Sequence, residues 1–184
     1  MAPSWEAAHS IMRASIVLAI VILSGSLRAQ TFPTLNGELA NGTAVQLPGD
    51  PKTPRIVIAL AYGQKAQADL EAWYEPAYLR FVAKHGLFAN AYSTELYFVP
   101  LFTGANKAAY EPSMKRFRKS ATPETADRVV FVRTELEAVR EALGLKDKDI
   151  PYFFVVDRDG RIVHREQGAF TEDKLDAIEE ALMP

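Results

Sequence analysis

Residues 56–62 read IVIALAY, a stretch with no polar side chain before its closing tyrosine hydroxyl. A strand with one face in water alternates apolar and polar residues, whereas a strand apolar at every position needs cover on both faces. The β-branched residues at the start of the run favour strand over helix. This chain must therefore place helices or loops on both sides of a sheet, and its other segments should alternate between strand and helix.

They do alternate. Upstream, FPTLNGELANGTAVQLPGD carries Asn36-Gly37 and Asn41-Gly42 between short apolar stretches, the pattern of a small β-hairpin or loop pair. Asn41-Gly42-Thr43 is also a glycosylation sequon, but Asn-Gly is first a turn dipeptide. Downstream, the spacing of Leu70, Trp73, Ala77 and Phe81 predicts a helix over 66–85, stopped by Gly86 and kinked at Pro76. A second strand is expected over 95–102 and a helical segment over 103–119 with Pro112 inside it. DRVVFVR predicts a third strand over 127–133. Thr134 and Glu137 have the spacing of a capping box, so a helix should start there and end at Gly144. PYFFVVDRDGRIVHREQG then reads as two antiparallel strands around a turn at Asp157–Gly160. Turn duty accounts for Asp159 and strand-end placement for Asp157, the most obvious paired carboxylates. A final helix follows Thr171, with Glu172 and Asp173 in its first turn and Leu175, Ile178 and Leu182 on its apolar face. Trp73, Phe81 and Phe117 are expected in the core rather than at a cofactor.

The 184 residues contain no cysteine. That excludes disulfides, thiolate nucleophiles, cysteine metal ligands and a lipidated cysteine together. The three histidines, His9, His85 and His164, are far apart in sequence, so no metal or other cofactor is expected. ASIVLAIVILS, residues 14–24, follows Arg13 and precedes small and polar residues up to Ala29, the layout of a secretory signal peptide. The reading divides the chain into a signal at 1–29, cleaved after Ala29 or kept as an uncleaved anchor, and a single domain at 30–184. The domain would then be periplasmic or extracellular, touching a membrane only through such an anchor. Residues 1–29 hold two arginines against one glutamate, so their removal takes the formal net charge from −2 to −3. A weakly acidic exported domain is a poor partner for nucleic acid.

The element order, hairpin, β, α, β, α, β, α, β, β, α, resembles the thioredoxin-like fold: an α/β domain with a central mixed sheet flanked by helices, here preceded by an N-terminal β-hairpin. Two local sequences sharpen the likeness. IVIALAYGQKAQADLEAW is similar to the opening of redoxins and thiol-disulfide interchange proteins, with YGQKAQADL in place of WCxxCxxEL. Tyr62 then stands for the aromatic residue, while Gly63 and Ala66 stand where the two cysteines would be. Ile150-Pro151, just before YFFVV, resembles the family's cis-proline beside the active-site loop, which implies a cis bond here. The stretch 143–168 also loosely resembles the thioredoxin-like assembly factor of mitochondrial ATP synthase.

The resemblance implies a frame kept without its thiols, and hence a non-catalytic binding, accessory or assembly protein for a peptide or protein partner in the exported compartment. The alternative is a redoxin-related enzyme or subunit with non-thiol chemistry that supports a redox system. The candidate binding loop is Tyr62, Gly63, Gln64, Lys65 and Ala66 with Ile150 and Pro151. Its free helix-terminal amides and Lys65 suit an anion or carboxylate, and the Ile150 backbone suits an extended peptide. If the alignment holds, Gly63→Cys with Ala66→Cys should close a disulfide, which needs Cβ atoms about 3.5–4.5 Å apart. Lys107, Lys115, Arg116, Arg118 and Lys119 form the one basic cluster, either a solvated helix face or a docking patch for the partner.

Overall fold

The structure, a computed structural model, describes residues 30–84 and 91–183. The expected signal at 1–29 and the helix stop at Gly86 lie outside the described residues.

Seven strands form one mixed sheet in the order β2-β1-β5-β4-β3-β6-β7. They are β1 (Leu35–Glu38), β2 (Ala44–Leu47), β3 (Arg55–Ala61), β4 (Thr94–Phe102), β5 (Phe131–Arg133), β6 (Tyr152–Asp157) and β7 (Ile162–Gln167). β3 pairs in parallel with β4, and β4 with β5, because helices cross over between them. The β6–β7 hairpin adds antiparallel strands on the other side of β3. The helices are α1 (Gln64–Ala77), α2 (Tyr110–Ser120), α3 (Pro123–Ala126), α4 (Leu136–Leu143) and α5 (Glu172–Glu180).

The apolar run at β3 behaves as its composition demands. Ile56, Ile58 and Leu60 pack into one core layer with Val139 and Leu143 of α4, while Val57, Ala59 and Ala61 pack into the other with α1, α2 and α5. Both alternating sets are therefore buried, and β3 has no solvent face. The second layer is rich in aromatic rings. Trp73, fully buried, lies 4.2 Å from the Phe153 ring and 5.1 Å edge-on to Phe170, and its indole N–H donates to the Gly168 carbonyl at 3.0 Å. Such pairs add about 0.5–1.5 kcal/mol beyond burial. Phe81 is buried as expected, and Phe117 packs half-buried against the same layer.

Two local expectations need correction, and the two helix prolines are accommodated in different ways. Asn36-Gly37 lies inside β1, and only Asn41-Gly42 makes the hairpin turn, with the Asn41 side chain accepting from the Thr43 amide. Pro76 does not end its helix; α1 runs on into a π-helical turn at Tyr78–Val82, the kind of adjustment that accompanies a lost helical hydrogen bond. Pro112 does not break α2, because it falls in the first turn, where amides have no intrahelical acceptor. The Thr134 capping box does not form: the Thr134 amide still pairs with the Phe102 carbonyl at the end of the sheet, and Glu137 bonds Arg140 instead. The helix stop is as expected, with Gly144 left-handed at φ 66°. Thr171 caps α5, and Asp157 takes the amides of Asp159 and Arg161 in the β6–β7 turn.

Candidate functional site

β3 delivers the chain to Tyr62, which is buried, and Gly63 then caps α1 in an extended conformation. Gln64 and Lys65 face solvent and Ala66 is fully buried. The first turn of α1 has no acidic residue and no side-chain cap, so its leading amides keep their hydrogen-bonding capacity. Here the structure brings together the two halves of the predicted loop, Tyr62–Ala66 and Ile150–Pro151, through the segment that precedes Pro151.

That segment, residues 145–150, is held by three side chains, with Arg140 donating to the Leu145 carbonyl and Tyr152 making the most bonds. The Tyr152 hydroxyl accepts from the Lys146 and Asp147 amides at 3.1 and 2.7 Å and donates to the Asp147 carbonyl at 2.9 Å. The Asp147 carboxylate accepts from the Asp149 amide at 2.8 Å. Tyr152 in turn stacks with Tyr62, centroids 6.4 Å apart. Burial, reinforced by Tyr152, pushes the Tyr62 phenol up to about 12.

The result is that Lys148 packs its backbone directly on Gly63. A Cβ at Gly63 would lie far inside contact with the Lys148 carbonyl oxygen, and the carbonyl carbon would stand 2.9 Å away. Any residue other than glycine must displace backbone rather than a flexible side chain. Two expectations fall here. Position 63 has no room for the side chain that an engineered disulfide to position 66 requires. The bond at Ile150-Pro151 is not cis; among the described residues the cis peptide is Leu47-Pro48. In the resemblance the cis-proline flanks an open site, whereas here the chain's own backbone fills that space and the Pro151 carbonyl is taken by the Gly168 amide at 2.8 Å.

The basic cluster divides in two. Lys107 pairs with Glu135, and Arg118 bonds the Glu38 carboxylate at 2.8 Å and the Ala40 carbonyl. These two hold α2 and the turn before it against neighbouring elements. Lys115, Arg116 and Lys119 are exposed and make no ion pair among the described residues.

Sequence reasoning missed a groove beside that basic face. It opens between α1 and α2, with a volume of about 430 Å³. Phe98, Phe102 and Phe131 make its floor. Tyr74 of α1 and Phe117 of α2 are its walls, with the Tyr74 ring 5.0 Å from Phe98 and the Phe117 ring 5.3 Å from Phe131. The Tyr74 hydroxyl is buried beside the Thr125 side chain and makes no hydrogen bond of good geometry among the described residues, and burial raises its pKa above the ordinary tyrosine value. The available signal was the alternation Phe98, Pro100, Phe102 along β4, which puts three apolar side chains on one face opposite the helices.

Among the described residues there is no cluster of three or more metal-binding side chains, and no helix is long and apolar enough to cross a membrane.

No family model matches the chain, and no curated protein matches it in sequence. Solved structures do match. The thioredoxin domain of a thiol-disulfide oxidoreductase from Bacteroides vulgatus superposes with a TM-score of 0.52 at 16% identity, covering 84% of this chain and 96% of that one. The exposed lipoprotein thioredoxin of Streptococcus pneumoniae gives 0.52 at 12% identity, covering 80% and 99%. A Chlorobium tepidum structure assigned as the thiol:disulfide interchange protein DsbE gives 0.51 at 15% identity, covering 83% and 93%. With strand order, crossovers and these superpositions in agreement, the chain has the thioredoxin-like fold, built here from a sequence without a single cysteine.

Proposed function

We propose that this chain is an exported, non-redox binding protein that uses the thioredoxin-like scaffold to hold a peptide or protein partner. The observation that carries the reading is the Lys148 carbonyl packed on Gly63. The position corresponding to the first cysteine of a redoxin not only lacks sulfur but has no space for a side chain, so the frame supports recognition rather than thiol turnover. Export rests on the signal-like residues 13–29. Partner docking is supported by Lys115, Arg116 and Lys119, exposed and without an ion pair among the described residues, with Gln64 and Lys65 exposed at the uncapped start of α1. Such a surface favours an acidic segment.

The test has two arms. The purified chain should reduce neither insulin disulfides nor hydrogen peroxide above the buffer rate with any thiol donor. In the exported fraction, crosslinking should capture a partner that is lost with Lys115→Glu/Arg116→Glu/Lys119→Glu and kept with Lys52→Glu. Measurable thiol turnover, or capture indifferent to the triple substitution, sinks the proposal.

A further inference from the structure

We propose that the groove between α1 and α2 is a binding site for a small aromatic carboxylate, separate from the closed loop at Gly63 and sharing the basic face of α2 with the protein-partner reading.

Three features select that chemistry. The first is shape: about 430 Å³ falls within the range of small-molecule sites, roughly 300–1,000 Å³. The second is the lining. Five aromatic rings, on Tyr74, Phe98, Phe102, Phe117 and Phe131, surround the space from three elements and the strand beside them. Phe102 and Phe131 stack with centroids 5.7 Å apart, while Phe117 tilts against Phe131. A planar ring meets such walls by offset or edge contacts more favourably than an alkyl chain of the same area does.

The third feature is the pair of polar groups that converge on this apolar space. Inside, the Tyr74 hydroxyl is buried and makes no hydrogen bond of good geometry among the described residues. The Thr125 side chain lies beside it, and the Thr125 hydroxyl also meets that of Thr122 at 3.1 Å. A buried hydroxyl left unpaired costs about 1–3 kcal/mol, so an acceptor brought in by a ligand is stabilised there. At the rim, Arg116 lines the opening, is exposed and has no carboxylate partner among the described residues. Lys115 and Lys119 flank it on α2, against Glu71 on the facing edge of α1 and Glu124 near Tyr74. The local excess of positive charge favours an anionic group at the mouth, and a guanidinium matches a carboxylate in geometry as well as charge. An aromatic ring in the groove, a carboxylate at Arg116 and a hydrogen-bond acceptor toward Tyr74 satisfy all three.

The experiment titrates the full chain with 2-naphthoate and with neutral 2-naphthamide, read by calorimetry and by aromatic proton shifts in NMR. The expected result is one saturable site for naphthoate, with the largest shifts on Tyr74 and Phe117. Ser113→Trp, which fills the groove from α2, should abolish binding. Arg116→Gln should weaken naphthoate roughly fivefold, the scale of one partly screened charge contact, and leave naphthamide unchanged. Arg116 is exposed, so its variant keeps the test decisive if Ser113→Trp fails to fold. No saturable binding at millimolar naphthoate, binding that survives in folded Ser113→Trp, equal effects of Arg116→Gln on both probes, or shifts confined to residues 62–66 would each overturn the site. Loss of naphthoate binding with partner capture intact would leave the protein-partner reading standing alone.

Discussion

The first turn of α1 and the groove along the same helix are lined from one element and end in opposite states. At Gly63 the chain's own backbone sits where a side chain or substrate would sit, and the Tyr152 hydroxyl holds it there with three hydrogen bonds. One to three turns further on, Gln67, Leu70 and Tyr74 border a groove over an aromatic floor, and the buried Tyr74 hydroxyl makes no hydrogen bond of good geometry among the described residues. In the closed region the loop backbone at 146–147 is hydrogen-bonded by Tyr152, while the open one is lined by aromatic rings. This contrast teaches that one helix can end under a neighbouring loop and still border open space along its flank. Tyr152 seats the loop on Gly63, while the aromatic rings between α1 and α2 leave a groove.

The comparison breaks first at Gly63. Gly63→Ala should destabilise the protein by about 2–3 kcal/mol in urea unfolding, because a methyl group there must move Lys148 backbone. For the same reason Gly63→Cys with Ala66→Cys should give free thiols, rather than an intramolecular disulfide, in mass spectrometry after mild oxidation. An unchanged midpoint for Gly63→Ala, or rapid disulfide closure, would show that the loop is not seated on the helix.

A smaller effect is expected from Tyr152→Phe, about 1–2 kcal/mol, since the Lys146 and Asp147 amides lose their acceptor. Hydrogen exchange should quicken at those two amides. Combined with Gly63→Ala, the loss should be less than additive, because a loosened loop can yield to the added methyl. Strict additivity would separate the two features.

The pH dependence is smaller still near neutrality and appears only in alkali. Tyr62 is held neutral by burial up to about 12, above the ordinary 10.0 of the unfolded chain. Its contribution to stability is fully present below pH 10 and is lost as pH rises from there toward 12, because the unfolded state ionises first. Tyr62→Phe should flatten the decline in thermal midpoint across that window; an identical decline in the variant would assign the titration elsewhere.

The smallest effect belongs to the open region. Tyr74→Phe removes a hydroxyl that makes no hydrogen bond of good geometry among the described residues, so unfolding free energy should change by no more than about 0.5 kcal/mol or rise slightly. A loss above about 1 kcal/mol would mean that this hydroxyl is satisfied in solution and that the contrast with Gly63 is weaker than the structure indicates.

The architecture was legible because its signals are local or periodic. The unbroken apolar β3, the 3.6-residue spacing of Leu70, Trp73, Ala77 and Phe81, the Asp-Gly hairpin and the Thr171 cap each state their own element. The misses occurred where a neighbour in space overruled a local preference. Thr134 has capping chemistry but spends its amide on Phe102 across the sheet. Asn36-Gly37 has turn chemistry but is drawn into β1 by pairing on both sides, with β2 and β5. The short α3 was overlooked although Thr122 and Pro123 are a cap and a first-turn proline in the right places.

The sequence by itself determined the layered α/β design and ruled out thiol chemistry, because burial on two faces follows from residue type along one strand and sulfur is either encoded or absent. Only the tertiary structure decided that Gly63 is covered and the α1–α2 groove is open. Both depend on segments more than 25 residues apart in sequence coming within contact distance: Lys148 meets Gly63, and Phe117 and Phe131 meet the face of α1. Hydrophobic periodicity assigns a residue to a face, but how closely two faces approach is set by side-chain volumes and backbone hydrogen bonds drawn from the whole domain.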